Sequence, residues 1–310
     1  MAALHRSRGI AVSDMPFFGE IAALLTALCW SGSSLVFSSA TARVGPALVN
    51  ISRLVLALVY LALLLLILGE SPSLSTSQVI FLGVSGIVGL AIGDSFLFRA
   101  YVSIGPRLSM LVMSISPAFS AFLAYIFLDE RLSLLGISGI AITVCGVVLV
   151  VYERSPGSMA RGGELLTGIL FAGVAAVGQG AALLFAKFAF NEGPIDGFVA
   201  AAVRIGVSIG VLLPIMIALG RIVHPVQTFC RDRRAFWLTA AGSVLGPFLG
   251  ISFSLLAVAN TKVGIASTLM ATVPIIMLPM VRFFFKERLS WRAMIGAWIA
   301  VAGVAILFLH

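Results

Sequence analysis

The sequence predicts an all-α polytopic membrane protein: ten transmembrane helices arranged as two inverted five-helix repeats. Three observations carry this. Of the 310 residues, 60% are hydrophobic and only 10% are charged, with a mean hydropathy of +1.14; an ordinary soluble domain has roughly 25% charged residues. The apolar runs are continuous over about twenty residues, the length a helix needs to cross the hydrocarbon core. A barrel strand would alternate over about ten. Finally, the second half of the chain repeats the first.

The composition excludes a soluble enzyme and a disordered chain. The net charge of +8 comes from 17 Arg and 3 Lys scattered singly or in short clusters. No basic tract can follow a phosphate backbone, so no nucleic-acid partner is expected. Cys29, Cys145 and Cys230 form no CxxC and no disulfide framework. With His5, His224 and His310 the only histidines, neither a metal centre nor a cofactor is expected.

The elements follow in order. After an N-terminal tail, 1–16, the first run covers 17–38. His5, Arg6 and Arg8 ahead of it imitate a signal peptide. The run is too long for a signal core, and it has a counterpart later, so it reads as a retained helix. Runs 47–69 and 78–99 follow, then 106–128 and 133–152, which close a first repeat of 17–152. A linker, 153–163, leads to 164–188, 197–219, 235–258, 263–285 and 289–309, a second repeat of 164–309. The connections are short, the longest being 152–163 and 220–234.

The repeat is read from offsets. Shifted by 157 positions, ERLS at 130–133 falls on ERLS at 287–290, and Pro117 falls on Pro274. Gly139 and Gly146 fall on Gly296 and Gly303; Gly89 and Gly93 fall on Gly246 and Gly250. Nearer the start of each half, Gly45-Pro46 matches Gly193-Pro194, and Arg53 matches Arg204. A unit of five helices is odd, so its second copy enters the membrane upside down. That geometry recurs in secondary transporters, with the solute site near the midplane between the repeats.

Gly-Pro before the second helix, an Arg inside it, a Pro in the fourth helix and E-R-L-S after it together resemble the EamA domain. Two such units resemble a ten-helix member of the drug/metabolite transporter superfamily, over nearly the whole chain from Phe17 to Leu309. The resemblance implies secondary transport of a small solute, often export, in the plasma or inner membrane, and both termini in the cytoplasm. Members of the superfamily handle amino acids, nucleosides, sugars or their phosphates, and toxic compounds. The positive-inside rule opposes the orientation. With the N-terminus inside, five Lys and Arg fall on the inner side and thirteen on the outer, Arg53 and Arg204 apart.

Ionisable groups inside apolar runs are costly and point to function. Arg53, Asp94 and Arg204 stand there. The arginines either attract an anionic group or Asp94, or they bind backbone carbonyls and snorkel. Asp94 has Ile251, not an acid, as its repeat counterpart. At helical spacing Asp94, Phe98 and Tyr101 share a face. That face suits an organic solute or proton coupling; the structural alternative is a salt bridge to Arg99 or Arg53. Trp30 lies mid-helix, away from an interfacial belt, and Gln179 lies between two glycines; with Asn50 they are weaker candidates. The expected binding set is therefore Asp94, Phe98, Tyr101, Trp30, Gln179, Arg53 and Arg204.

Glycine faces at Gly242, Gly246 and Gly250, at Gly89 and Gly93, and at Gly206 and Gly210 predict close helix packing. Glu130–Arg131 and Glu287–Arg288 predict interfacial caps and ion pairs. The expected partners are a small-molecule substrate, membrane lipid and a coupling proton or ion, in a monomer or homodimer. There is no GxxxxGK[ST] motif for ATP. An intramembrane aspartyl enzyme would need a second aspartate within a span, and none exists. A lipid or polyprenyl-lipid flippase would share the architecture, and a non-transporting scaffold would need a partner-binding domain that the chain lacks.

Overall fold

A computed structural model describes residues 17–69, 74–127, 133–152, 162–220, 224–261, 263–284, 286 and 290–308. The N-terminal tail, most of the linker, and both Glu–Arg pairs of the ERLS elements lie outside them. Every regular element among the described residues is a helix: α1 (Phe18–Val44), α2 (Pro46–Leu68), α3 (Thr76–Met113), α4 (Ser116–Phe127), α5 (Leu134–Tyr152), α6 (Gly162–Asn191), α7 (Gly197–Ala218), a short α8 (Pro225–Arg231), α9 (Arg233–Asn260), α10 (Val263–Met270), α11 (Val273–Phe284) and α12 (Trp291–Phe308). Seven helical stretches are long and apolar enough to cross a membrane, and α4, α5 and α12 are shorter apolar helices. Leu66, Ile67 and Leu134 are 77%, 81% and 86% exposed, as on a lipid-facing surface. This is a multi-pass membrane protein.

Local chemistry sets the boundaries. Gly45, at φ 87°, ends α1, and Pro46 starts α2 at a position where its missing N–H costs nothing. Asp196 caps α7 by accepting from the N–H groups of Phe198 and Val199. Ser133 and Ser290, the last residues of the two ERLS elements, cap α5 and α12. Each Oγ accepts from the backbone N–H three residues on, Gly136 at 3.0 Å and Ala293 at 3.1 Å.

The fourth helix of each half, which the sequence reads as one run that Pro117 or Pro274 can kink or hinge, is broken. The break falls at Ser114–Ile115 in one half and at Ala271–Thr272 in the other. Pro117 and Pro274 follow closely; neither can donate to the carbonyl four residues back. Tighter bonds fill the gap, from Ile115 N to Val112 O (3.1 Å) and from Thr272 N to Leu269 O (3.2 Å). The third helix of each half carries a π-helical segment, Ile87–Gly93 and Val244–Gly250, again at matching positions.

The halves pack reciprocally. α1 lies against α9 and α11, and α6 lies against α3 and α4; α2 meets α7, and α5 meets α12. The reciprocal contacts run antiparallel. The start of α1 meets the end of α9 through Glu20, which accepts from Thr261 Oγ1 at 2.8 Å. The end of α1 meets the start of α9 through Arg43 and Asp232 at 2.7 Å. Ser85 of α3 donates to Ala182 of α6 at 2.5 Å, while farther along Ile104 of α3 lies against Gly168 of α6. α5 and α12 approach through Gly146, Gly296 and Gly303, where any Cβ would strike the facing helix.

Most of the predicted glycine faces are contact faces. A Cβ on Gly246 would stand 2.9 Å from the Phe37 ring, and one on Gly250 would stand 2.7 Å from the Trp30 indole. Gly206 and Gly210 correct the expectation: a Cβ on either meets nothing within 4 Å, because that side of α7 faces outward.

Candidate functional site

A cavity of about 140 Å³ lies where the two halves meet. All seven residues of the predicted binding set line it: Trp30 from α1, Arg53 from α2, Asp94, Phe98 and Tyr101 from α3, Gln179 from α6 and Arg204 from α7. Asn50 does not. It is buried beside Arg53 and works as a brace, accepting from Arg53 Nε at 3.1 Å and donating to Ser95 Oγ at 3.0 Å.

Arg53 and Asp94 form an ion pair across α2 and α3, with side chains 6% and 13% exposed. Of the two salt-bridge partners the sequence offers Asp94, the structure selects Arg53. Arg99 stands five residues beyond Asp94, about 140° around the helix. Its guanidinium lies 5.5 Å from the Phe96 ring centre and 5.9 Å from that of Phe171. The Arg53 guanidinium also stacks 4.9 Å from the Phe98 ring centre and 5.7 Å from that of Phe37. Such cation–π contacts favour the charge where water is scarce. Tyr101 packs on Phe98 with ring centres 5.5 Å apart and donates to Met110 Sδ at 3.4 Å.

The repeat-equivalent Arg204 has a different environment. It is 4% exposed, and its Nε has no hydrogen-bond partner. Gln179 Oε1 and Ser267 Oγ, in the same lining, are likewise buried without partners. Gly89 makes room between Gln179 and Arg204: a Cβ there would stand 3.0 Å from Gln179 Oε1 and 3.5 Å from Arg204 Nη2. Gly86, one helical turn earlier, brings α3 against the backbone carbonyl of Arg204.

The helix irregularities border the same cavity. Each π segment ends one residue before a lining position, Asp94 in one half and Ile251 in the other. Met113, Ser114 and Pro117 of the first break line the cavity, as do Met270, Ala271 and Pro274 of the second. A π turn and a proline break both release backbone carbonyls from the helix ladder. Such backbone is tolerated at membrane depth where it lines a cavity or is buried in protein. The π segments are missed by reading the sequence. Pro247, inside the second one, is the signal that could have found them, since a proline deep in a long apolar run must leave a carbonyl without its usual donor.

What the site offers is mixed: an aromatic and aliphatic wall, one neutralised ion pair, one unpaired guanidinium and several unpartnered polar atoms. Among the described residues no group of three or more His, Cys, Asp or Glu could hold a metal. The arrangement suits reversible binding of a small organic solute.

Comparison with known proteins agrees with this architecture. No curated protein matches the chain. A crystal structure of a protein 20% identical in sequence superimposes with a TM-score of 0.68, covering 94% of this chain and 96% of that one, which is a likeness of fold. The model of the EamA-like transporter family matches twice, over residues 17–152 and 166–309. The chain therefore belongs to the EamA-like transporter family.

Proposed function

We propose that the protein is a secondary transporter of the plasma or inner membrane that exports a small polar organic solute by alternating access through the cavity between its halves. The observation that carries this is the cavity itself. A buried space at the contact of two matching halves, bordered by paired helix breaks, is what a carrier with two interconvertible openings needs.

We count ten crossings. α3 is 38 residues long, which at about 1.5 Å per residue is nearly twice the roughly 30 Å hydrocarbon core. It turns at Gly105, whose φ is 74° and ψ 168°. The chain beyond Gly105 joins α4 into one crossing, and α5 and α12 each make another. Five crossings per half invert the second copy, and the antiparallel pairing of α1 with α9 and of α3 with α6 supports this. Coupling to a proton through Asp94, the one carboxylate of the lining, requires that Arg53 release it during the cycle.

The test is an untargeted comparison of the medium from cells expressing the intact protein and cells expressing Asp94→Asn at matched membrane levels. Enrichment of a metabolite outside the cells only with the intact protein supports the reading. Equal export by both versions removes Asp94 from the cycle. Medium unchanged from that of cells lacking the protein counts against export.

A further inference from the structure

Arg53 and Arg204 hold matching places in the two halves, but only Arg53 makes a salt bridge; Arg204 feels the same Asp94 at longer range, with no hydrogen bond between them. At the position matching Asp94 the second half has Ile251, which lines the cavity and is 5% exposed. Among the described residues no carboxylate pairs with Arg204, and its Nε is unsatisfied. A guanidinium does not give up its proton under physiological conditions, and an unpaired buried cation costs several kcal/mol. The charged residues of the lining are Arg53, Asp94 and Arg204, leaving one positive charge in excess. Gln179, beside Arg204 across Gly89, adds an amide whose Oε1 has no partner, and an amide turned over presents its N–H₂ instead. Ser267, also unpartnered, adds a hydroxyl donor.

We propose that the transported solute is an organic monocarboxylate: its carboxylate docks on Arg204, with the Gln179 amide beside it, and its apolar body lies against Trp30 and Leu183. One excess charge matches a singly charged carboxylate and not a phosphate dianion. The planar fork of a guanidinium matches the two carboxylate oxygens. Trp30 and Leu183 are half-buried, line the cavity and pack on one apolar cluster, so the indole face and the leucine side chain offer an apolar surface. The assignment rests on the transport reading above and narrows it to a substrate class.

The experiment uses the full-length protein in nanodiscs of phosphatidylcholine, so that no anionic lipid competes. Binding is read from tryptophan fluorescence, since Trp30 lines the cavity, with thermal shift as a second readout. The probes are two matched series: phenylacetate, phenylacetamide and phenethylamine, and isovalerate, isovaleramide and isopentylamine. The intact protein should bind at least one carboxylate about tenfold more tightly than its amide, and the amines more weakly still. Arg204→Gln should bring carboxylate and amide to within about twofold, while Arg204→Lys should keep part of the preference. Ile251→Asp gives Arg204 the counter-ion that Arg53 has; it should fold and should also erase the preference. It serves where Arg204→Gln does not fold.

Amides or amines bound as tightly as carboxylates overturn the assignment and leave the transport reading standing. A carboxylate preference that survives both Arg204→Gln and Ile251→Asp overturns it as well, and so does the failure of every carboxylate to bind. The transport reading fails separately, on the export comparison.

Discussion

Replacing Asp94 with Asn keeps the shape of the side chain and removes its charge. Arg53 is then left as a buried cation whose nearest compensation is the Asn50 carbonyl and two aromatic rings. The Arg53 and Asp94 side chains are 6% and 13% exposed, too buried for water to replace the lost partner. Breaking a buried pair from one side costs about 3 kcal/mol or somewhat more. For a chain of this size that lowers the unfolding midpoint by roughly 6 to 12 °C. Arg53→Gln should cost a similar amount, because it strands the carboxylate instead. The double variant, with neither charge, should lose clearly less than the sum of the two, by about 2 kcal/mol. Thermal unfolding of the four purified proteins in detergent, followed by tryptophan fluorescence, reads all three differences. Additivity to within about 0.5 kcal/mol would mean that the two groups do not interact, and the reasoning would be refuted.

Other predictions follow the same physics. Gly86→Ala places a Cβ against the carbonyl of Arg204 and 2.7 Å from Ser208 Oγ, so it should destabilise by about 1–3 kcal/mol. Gly206→Ala and Gly210→Ala, with nothing near their Cβ positions, should stay within about 0.5 kcal/mol; a loss comparable to that of Gly86→Ala would place a partner on that face. Ser133→Ala and Ser290→Ala should each cost about 1 kcal/mol through loss of a helix cap, measured by thermal unfolding. Asp232 lies outside the membrane-spanning helices. The hydrogen bond from Arg43 and then the backbone N–H of Ala235 hold its carboxyl below the usual carboxylate range. Its folded-state pKa is lowered, so its stabilisation is present above the ordinary value, about 3.9, and is lost as pH falls below that. Asp232→Asn should flatten that part of the acid limb of a pH-against-midpoint curve, and an unchanged limb would count against the pair.

The cavity was legible in the sequence to an unusual degree, for a simple reason. A charge or an amide in an apolar run is expensive unless it meets a partner or a cavity, so Arg53, Asp94, Arg204 and Gln179 announced themselves. Phe98 and Tyr101 followed from Asp94 by helical spacing. What the sequence could not supply was pairing. Arg99 and Arg53 were equal partners for Asp94 until helix rotation turned Arg99 to another face. The rotation of α7 was hidden in the same way, so a glycine stripe at Gly206 and Gly210 looked like the one at Gly246 and Gly250 while facing the opposite way. The helix breaks before Pro117 and Pro274 were signalled by the prolines, but a kink and a break carry the same sequence signal. The π segments carried less signal still, since Ile87–Gly93 contains no proline. The repeat itself made the asymmetry at Asp94 and Ile251 visible, and the structure gave that asymmetry its meaning by leaving Arg204 unpaired.

The central claim is that the cavity is a solute path opened to each side of the membrane in turn. Ser254 lines it and is buried at 6% exposure. In a background with Cys29, Cys145 and Cys230 replaced, Ser254→Cys can be challenged with a membrane-impermeant thiol reagent in right-side-out and inside-out vesicles. Labelling from both sides, with rates that shift in opposite directions when a variant locks one opening, is the predicted result. Labelling from neither side would make the cavity a sealed structural void and would contradict the account.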